Sequence, residues 1–115
     1  MQRKNLNSNR NDRVASKVQT IVAEILRDKY AEDSVLSGVS LVGAVGRGGL
    51  QFVRLFFVVR GADVAVAQKK LDAETRTIRF ELAHRMNQKY VPEIKFEYDD
   101  TMERAEKIDE LLNNL

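Results

Sequence analysis

Gly46-Arg-Gly-Gly49 has the G-x-x-G spacing with which a loop between two helices grips single-stranded nucleic acid, and Arg47 lies inside it. Four of the chain's six glycines fall between Gly43 and Gly49. The same letters also serve a tight chain reversal, where glycine supplies positive φ at no steric cost. A second chemistry is phosphate contact by cations. Arg3, Lys4, Arg10, Arg13 and Lys17 make a basic arm in which Asp12 is the only acid before residue 20. Further along, Arg76, Arg79 and Arg85 share one helical pattern, and Phe80 projects with Arg76 and His84 away from its apolar stripe at about 100° per residue. An exposed aromatic among polar residues can stack a base. Arg79 and Arg85 border the apolar stripe, where their stems would equally pack on the core, so Arg76 leads them as an RNA contact.

Other chemistries find no support in the residue types. The chain has no cysteine, which excludes disulfides, thiolate metal sites and cysteine nucleophiles. There is no phosphate-binding glycine-lysine loop, no H-E-x-x-H and no carboxylate set at metal-loop spacing, so no cofactor or metal is expected. His84 is the single histidine and has no serine or cysteine placed to pair with it. Catalysis is not expected.

A chain of 115 residues suits one domain with a core of its own. No apolar run reaches the roughly 20 residues of a membrane span, and the polar start lacks a secretory h-region, so a cytoplasmic protein is expected. The net charge of +2 hides an asymmetry. Residues 1–90 hold 16 Lys and Arg against 9 Asp and Glu, while residues 91–115 hold 3 against 8. A basic body with an acidic end points to a polyanionic partner on one face.

The elements that must position these residues follow from periodicity. Residues 1–11, polar and Asn-rich, read as a flexible basic tail, and residues 12–112 as a single domain ending in a short acidic helix. Val14, Val18, Ile21, Val22, Ile25 and Leu26 form one stripe of a helix capped by Asn11 or Asp12 and running to about Tyr30. Gly38–Val45 and Leu50–Arg60 read as two strands, with the glycine cluster as the turn between them. Asp63 caps a second helix whose stripe runs from Ala67 and Leu71 through Ile78, Leu82 and Met86 to an end near Tyr90. Threonines in Asp72–Thr77 predict a kink or break midway. Pro92 ends the helical stretch, Glu93–Tyr98 alternates as a half-buried strand, and Asp100 with Glu103 predicts a capping box for the last helix. The order is that of an α+β, type II KH-like domain: α-β-β-α(kinked)α-β plus a short C-terminal helix, with a three-stranded sheet covered by helices on one face.

Against this background the segment Thr77–Leu112, "TIRFELAHRMNQKYVPEIKFEYDDTMERAEKIDELL", resembles the ribosome-binding factor A family. It carries that family's I-R-x-x-L-A-x-R, P-x-(L/I)-x-F and D-(S/T)-x-E runs, and Arg13-Val14 is similar to the family's opening. Two places depart from the pattern. The family's helix break usually reads Ala-x-Gly, where Glu74-Thr75-Arg76 stands here, and Gly49 replaces an acidic residue before Leu50. The resemblance implies a non-enzymatic assembly factor that associates with free small (30S) ribosomal subunits and aids late 16S rRNA processing. It also implies RNA contact near the decoding region, release as the particle matures, and a role in cold adaptation.

On this reading Arg3, Lys4, Arg10, Arg13 and Lys17 supply phosphate contacts, Arg47, Arg76, Arg79 and Arg85 extend the basic surface, and Phe80 offers a stacking platform. The partner is the small subunit and its 16S rRNA, with no membrane and no small-molecule substrate, and the free protein is expected to be a monomer. Two readings from other classes stand beside it. One is a protein-interaction or dimerisation module docking through Met102, Ile108 and Leu112 of the acidic last helix; the other is a small hydrolase centred on His84.

Overall fold

A computed structural model describes residues 6–47, 51–88 and 90–115, so Arg3, Lys4 and the hairpin glycines Gly48 and Gly49 lie outside the described residues. Helix α1 (Leu6–Lys29) leads through a short 3-10 turn to strand β1 (Val39–Arg47), which pairs antiparallel with β2 (Phe52–Val59). Helix α2 (Val64–Met86) then crosses to β3 (Glu93–Tyr98), parallel to β2, and α3 (Thr101–Asn113) follows. The sheet order β1-β2-β3 puts β2 in the centre.

Alternation along β2 decides which face is covered. Val53, Leu55 and Phe57 are fully buried, and with Ile94 and Phe96 of β3 they meet Val18, Val22 and Ile25 of α1 and Leu71, Ile78 and Leu82 of α2. Phe52, Arg54, Phe56 and Val58 point to the other face, which no helix covers. Both edges of the sheet are blunted by side chains: Gln19 Nε2 donates to the Leu41 carbonyl (3.3 Å), and Gln68 Nε2 to the Phe96 carbonyl (2.8 Å).

Several boundaries differ from the sequence expectation. Helix α1 starts at Leu6, inside the stretch expected as a flexible tail, so Asn11 and Asp12 are helical and cap nothing. Once α1 is docked by its apolar stripe, further turns add without a new nucleus, and Asn-rich sequence suffices. The expected break in the second helix is absent, and α2 is one uninterrupted helix. Its buried residues keep a single stripe across the junction, and Thr75 Oγ1 is accommodated by donating to the Leu71 carbonyl (2.8 Å). The helix ends at Met86, short of Tyr90, because Asn87 adopts a left-handed conformation (φ 56°, ψ 42°) that terminates it without help from Pro92. Asp63 does not cap α2 by its side chain. Nor does the expected box form at α3: Asp99 Oδ1 accepts from the Thr101 amide (3.0 Å), and Glu103 turns back to accept from the Tyr98 hydroxyl (2.8 Å).

Two loop residues hold α1, α2 and the sheet in register. Gly38 accepts from the Arg60 amide (2.9 Å), and a Cβ on Gly38 would collide with the Arg60 carbonyl. Gly38→Ala is expected to cost about 1–3 kcal/mol in chemical denaturation. Gly43→Ala, whose Cβ would sit 3.8 Å from the Phe56 ring, should stay within about 0.5 kcal/mol. Equal losses at the two glycines would contradict this close approach.

Asp33 is the second anchor. Its carboxylate accepts from the Leu36 amide (2.8 Å), the Lys70 ammonium (2.9 Å) and the Val35 amide (2.9 Å), which together lower its pKa to about 2. A carboxylate depressed in the folded state stabilises fully above its unfolded value of about 3.9 and loses that contribution as pH falls through the folded value. Asp33→Ala should therefore cost about 1–2 kcal/mol at neutral pH and flatten the fall in stability between pH 4 and 2. An unchanged acid limb in that window would contradict it.

Candidate nucleic-acid interface

The register of the hairpin resolves the glycine motif. Gly46 pairs with Val53 and Arg47 with Phe52, so the described part of the motif ends β1 beside the antiparallel β2, and no helix adjoins it on either side. The uninterrupted α2 leaves no loop at Asp72–Thr77 either. Among the described residues, no G-x-x-G loop joins two helices.

The arm is arranged differently. Arg10, Arg13 and Lys17 recur at three and four residues on α1, are exposed, and span about 10 Å of helix. Among the described residues none of them joins an ion pair. Arg47 belongs to the same end of the molecule. α1 runs along β1 from the Gln19–Leu41 hydrogen bond, and Val14 lines one cleft with Gln51 beside the hairpin tip. Arg47 is exposed and also without an acidic partner among the described residues.

The cations of α2 divide sharply. Arg79 donates to the carbonyls of Pro92 (3.0 Å) and Val91 (2.9 Å) and faces Glu93 at 3.6 Å, tying the end of α2 to the start of β3. Arg85 bridges Glu81 (3.1 Å) and Asp28 (3.0 Å), joining α2 to α1. Glu81 is held below the usual carboxylate range, chiefly by the Arg85 hydrogen bond. Both arginines are thus engaged within the protein. Arg76 alone of the three is exposed and unpaired among the described residues.

Phe80 is 66% exposed, with its ring tilted against His84 at a 4.7 Å centroid distance. His84 Nδ1 lies 3.1 Å from the Phe80 carbonyl, so the imidazole is engaged with its own helix. Arg76 and Phe80 line a groove of about 650 Å³ between α2 and the start of β3. It shares Arg79, Val91 and Glu93 with the cleft of about 640 Å³ that runs on to Val14. The two clefts therefore adjoin, one against the exposed face of α2 and the other reaching α1 at Val14. Tyr90, 80% exposed on the wall of that cleft, went unrecognised from sequence. The available signal was an aromatic placed off the apolar stripe just before Pro92. Among the described residues no cluster of three His, Asp or Glu side chains could hold a metal.

The chain is similar to characterised proteins over most of its length. A family model described as ribosome-binding factor A matches residues 10–112. The ribosome-binding factor A of Limosilactobacillus fermentum is 36% identical over 107 residues, covering 90% of this chain and 88% of the relative. That of Trichlorobacter lovleyi is 32% identical over 108 residues, covering 92% and 87%. In three dimensions the crystal structure of ribosome-binding factor A from Thermus thermophilus superposes with a TM-score of 0.67 at 15% identity, covering 76% of this chain and 94% of that one. A Thermus thermophilus homology model fitted into a cryo-EM map of a 30S–RbfA complex superposes at 0.66 with 13% identity, covering 78% and 96%.

Proposed function

The chain belongs to the ribosome-binding factor A family, and on that premise we propose that it is an RNA-binding assembly factor of the small ribosomal subunit. The relatives carry ribosome binding in their name, and a related protein has been fitted into a 30S complex. The observation in this chain that carries the reading is the unpaired cation set Arg10, Arg13, Lys17 and Arg47 gathered at one end, with Arg76 and Phe80 on one of two adjoining clefts and Tyr90 on the other, which reaches α1 at Val14. Cations without internal partners are available to phosphates, while exposed aromatics are available to bases.

Within this proposal Arg79 and Arg85 hold the scaffold instead of the RNA, since their guanidinium donors are already directed at protein oxygens. The protein acts without catalysis, in the cytoplasm where ribosomes assemble, and its target is immature 16S rRNA within the free subunit. A KH-like module that binds no RNA is the weaker alternative, because the family assignment extends across residues 10–112, Arg10, Arg13 and Lys17 included.

Co-sedimentation of the purified protein with small subunits, large subunits and joined ribosomes across a salt series tests the proposal. Selective binding to free small subunits that weakens with salt is the expected result. Equal binding to all three particles, or none, overturns it.

A further inference from the structure

Among the described residues the carbonyls of Val91 and Pro92 accept no backbone hydrogen bond. Both are taken instead by the Arg79 guanidinium, Nη2 donating to Val91 (2.9 Å) and Nε to Pro92 (3.0 Å). The connection from α2 to β3 leaves the helix through the left-handed turn at Asn87 and is gathered again at this point. Val91 packs on the core and Pro92 is buried, while Tyr90, the residue just before them, is 80% exposed. The proline ring fixes its own φ and restricts the backbone of Val91. The chain carrying Tyr90 is therefore set, from its C-terminal side, by one side chain of α2.

That side chain stands between two exposed aromatics. Arg79 immediately precedes Phe80 on α2, where Ile78 and Leu82 are fully buried and fix the helix. Arg79, Val91 and Glu93 line both clefts, with Phe80 on one and Tyr90 on the other. Glu93 lies 3.6 Å from the guanidinium and offsets its charge, so what Arg79 offers here is geometry. A planar fork aimed at two successive carbonyls is an arrangement that a lysine ammonium does not reproduce.

We propose that Arg79 is a positioning residue for RNA: it fixes where Tyr90 stands relative to Phe80, so that two unpaired bases find both rings already in place. A ring held before the RNA arrives removes an ordering cost from binding. This role rests on the RNA-binding reading above, since it needs bases to stack.

Affinity for free small subunits across a salt series separates positioning from contact. Tyr90→Ala should lower it between about 5-fold and 100-fold, as loss of one stacked base requires. Arg79→Lys keeps the charge and loses the fork, while Arg79→Gln loses both. Each should lower affinity at least about 5-fold, by no more than Tyr90→Ala does, and leave the salt slope unchanged. In the Tyr90→Ala background either substitution should change affinity by less than about twofold. Binding restored in Arg79→Lys, with a slope lowered by about 0.7 in Arg79→Gln, overturns the proposal by making Arg79 a phosphate contact. Parental affinity in both variants overturns it, and so does a loss that simply adds to that of Tyr90→Ala.

The free protein supplies a readout independent of the particle. The chain has no tryptophan, so Tyr90→Trp introduces a single indole, whose fluorescence anisotropy should fall when Arg79→Gln is added. Unchanged anisotropy overturns the positioning role. A fall in anisotropy in a protein whose parent binds no particle would fault the ribosomal reading instead.

Discussion

Replacing Arg10, Arg13 and Lys17 together by glutamate is expected to lower affinity for free small subunits by at least about 100-fold near 0.1 M salt and to flatten the salt dependence by about two units of slope. The slope follows from counting contacts. Each cation that neutralises a phosphate on a single strand releases counterions worth about 0.7 in the logarithmic slope, so three contacts account for about two. Reversal adds repulsion to the loss, which makes the affinity change larger than neutralisation alone. All three side chains are exposed and outside every ion pair among the described residues, so stability should move by no more than about 0.5 kcal/mol. A comparable loss from Arg104→Glu with Lys107→Glu, which reverses charge on α3 instead, would mean that net charge and not the arm governs binding. Unchanged affinity and slope in the triple variant would remove the arm from the interface.

The helix itself supports reading these cations as functional. α1 has no acidic residue in its first turn, where carboxylates would complement the positive end of the macrodipole, and it carries Arg10, Arg13 and Lys17 over the turns that follow. Charges of that sign do nothing for a helix N-terminal half. The buried stripe of Ala15, Val18, Val22 and Ile25 fixes α1 to the sheet regardless, so its opposite face is free to present them.

How much of this was legible depended on whether a feature is local. The strand Glu93–Tyr98 could be read in full, since Ile94 and Phe96 alternate with Glu93, Lys95 and Glu97 in a pattern only a half-buried strand satisfies. The core stripes of α1 and α2 were equally plain. In α2 threonine propensity points to a break while periodicity does not, since Leu71, Ile78 and Leu82 keep one stripe across the junction, and the packing of that stripe decides for a continuous helix. The N-cap position of α3 is Asp100, as expected, but the side chain that reaches its first amide is that of Asp99, a choice decided by backbone torsions that two adjacent aspartates cannot reveal. Arg85 shows the harder limit. Its partner Asp28 is 57 positions away, so only the packing of α1 on α2 could tell an anchored arginine from a free one. The same holds for Arg79, whose carbonyl partners appear once the chain folds back behind Asn87.

Phenylalanine illustrates the division between scaffold and surface, and it carries the second large effect. Phe57 is fully buried on the central strand, edge-on to Tyr98 at 5.8 Å, with α1 and α2 on the core behind it. Phe57→Ala should cost about 3–5 kcal/mol, because the lost apolar contact is joined by a cavity that the surrounding strands cannot close. Against a total of about 5–15 kcal/mol for a domain, that is a large part of the stability, visible as a shifted denaturation midpoint with the slope unchanged. Phe80→Ala removes the same side chain from a position 66% exposed, whose aromatic neighbour is His84. Its stability should change by less than about 0.5 kcal/mol, while particle affinity falls between about 5-fold and 100-fold, as the loss of one stacked base requires. Binding must be compared at temperatures where the Phe57 variant is still folded. Under that condition the two variants should separate cleanly, one losing stability and keeping its affinity, the other the reverse. A Phe80 variant that binds like the parent would take the base-stacking role away from α2 and leave it to Tyr90 of the adjoining cleft.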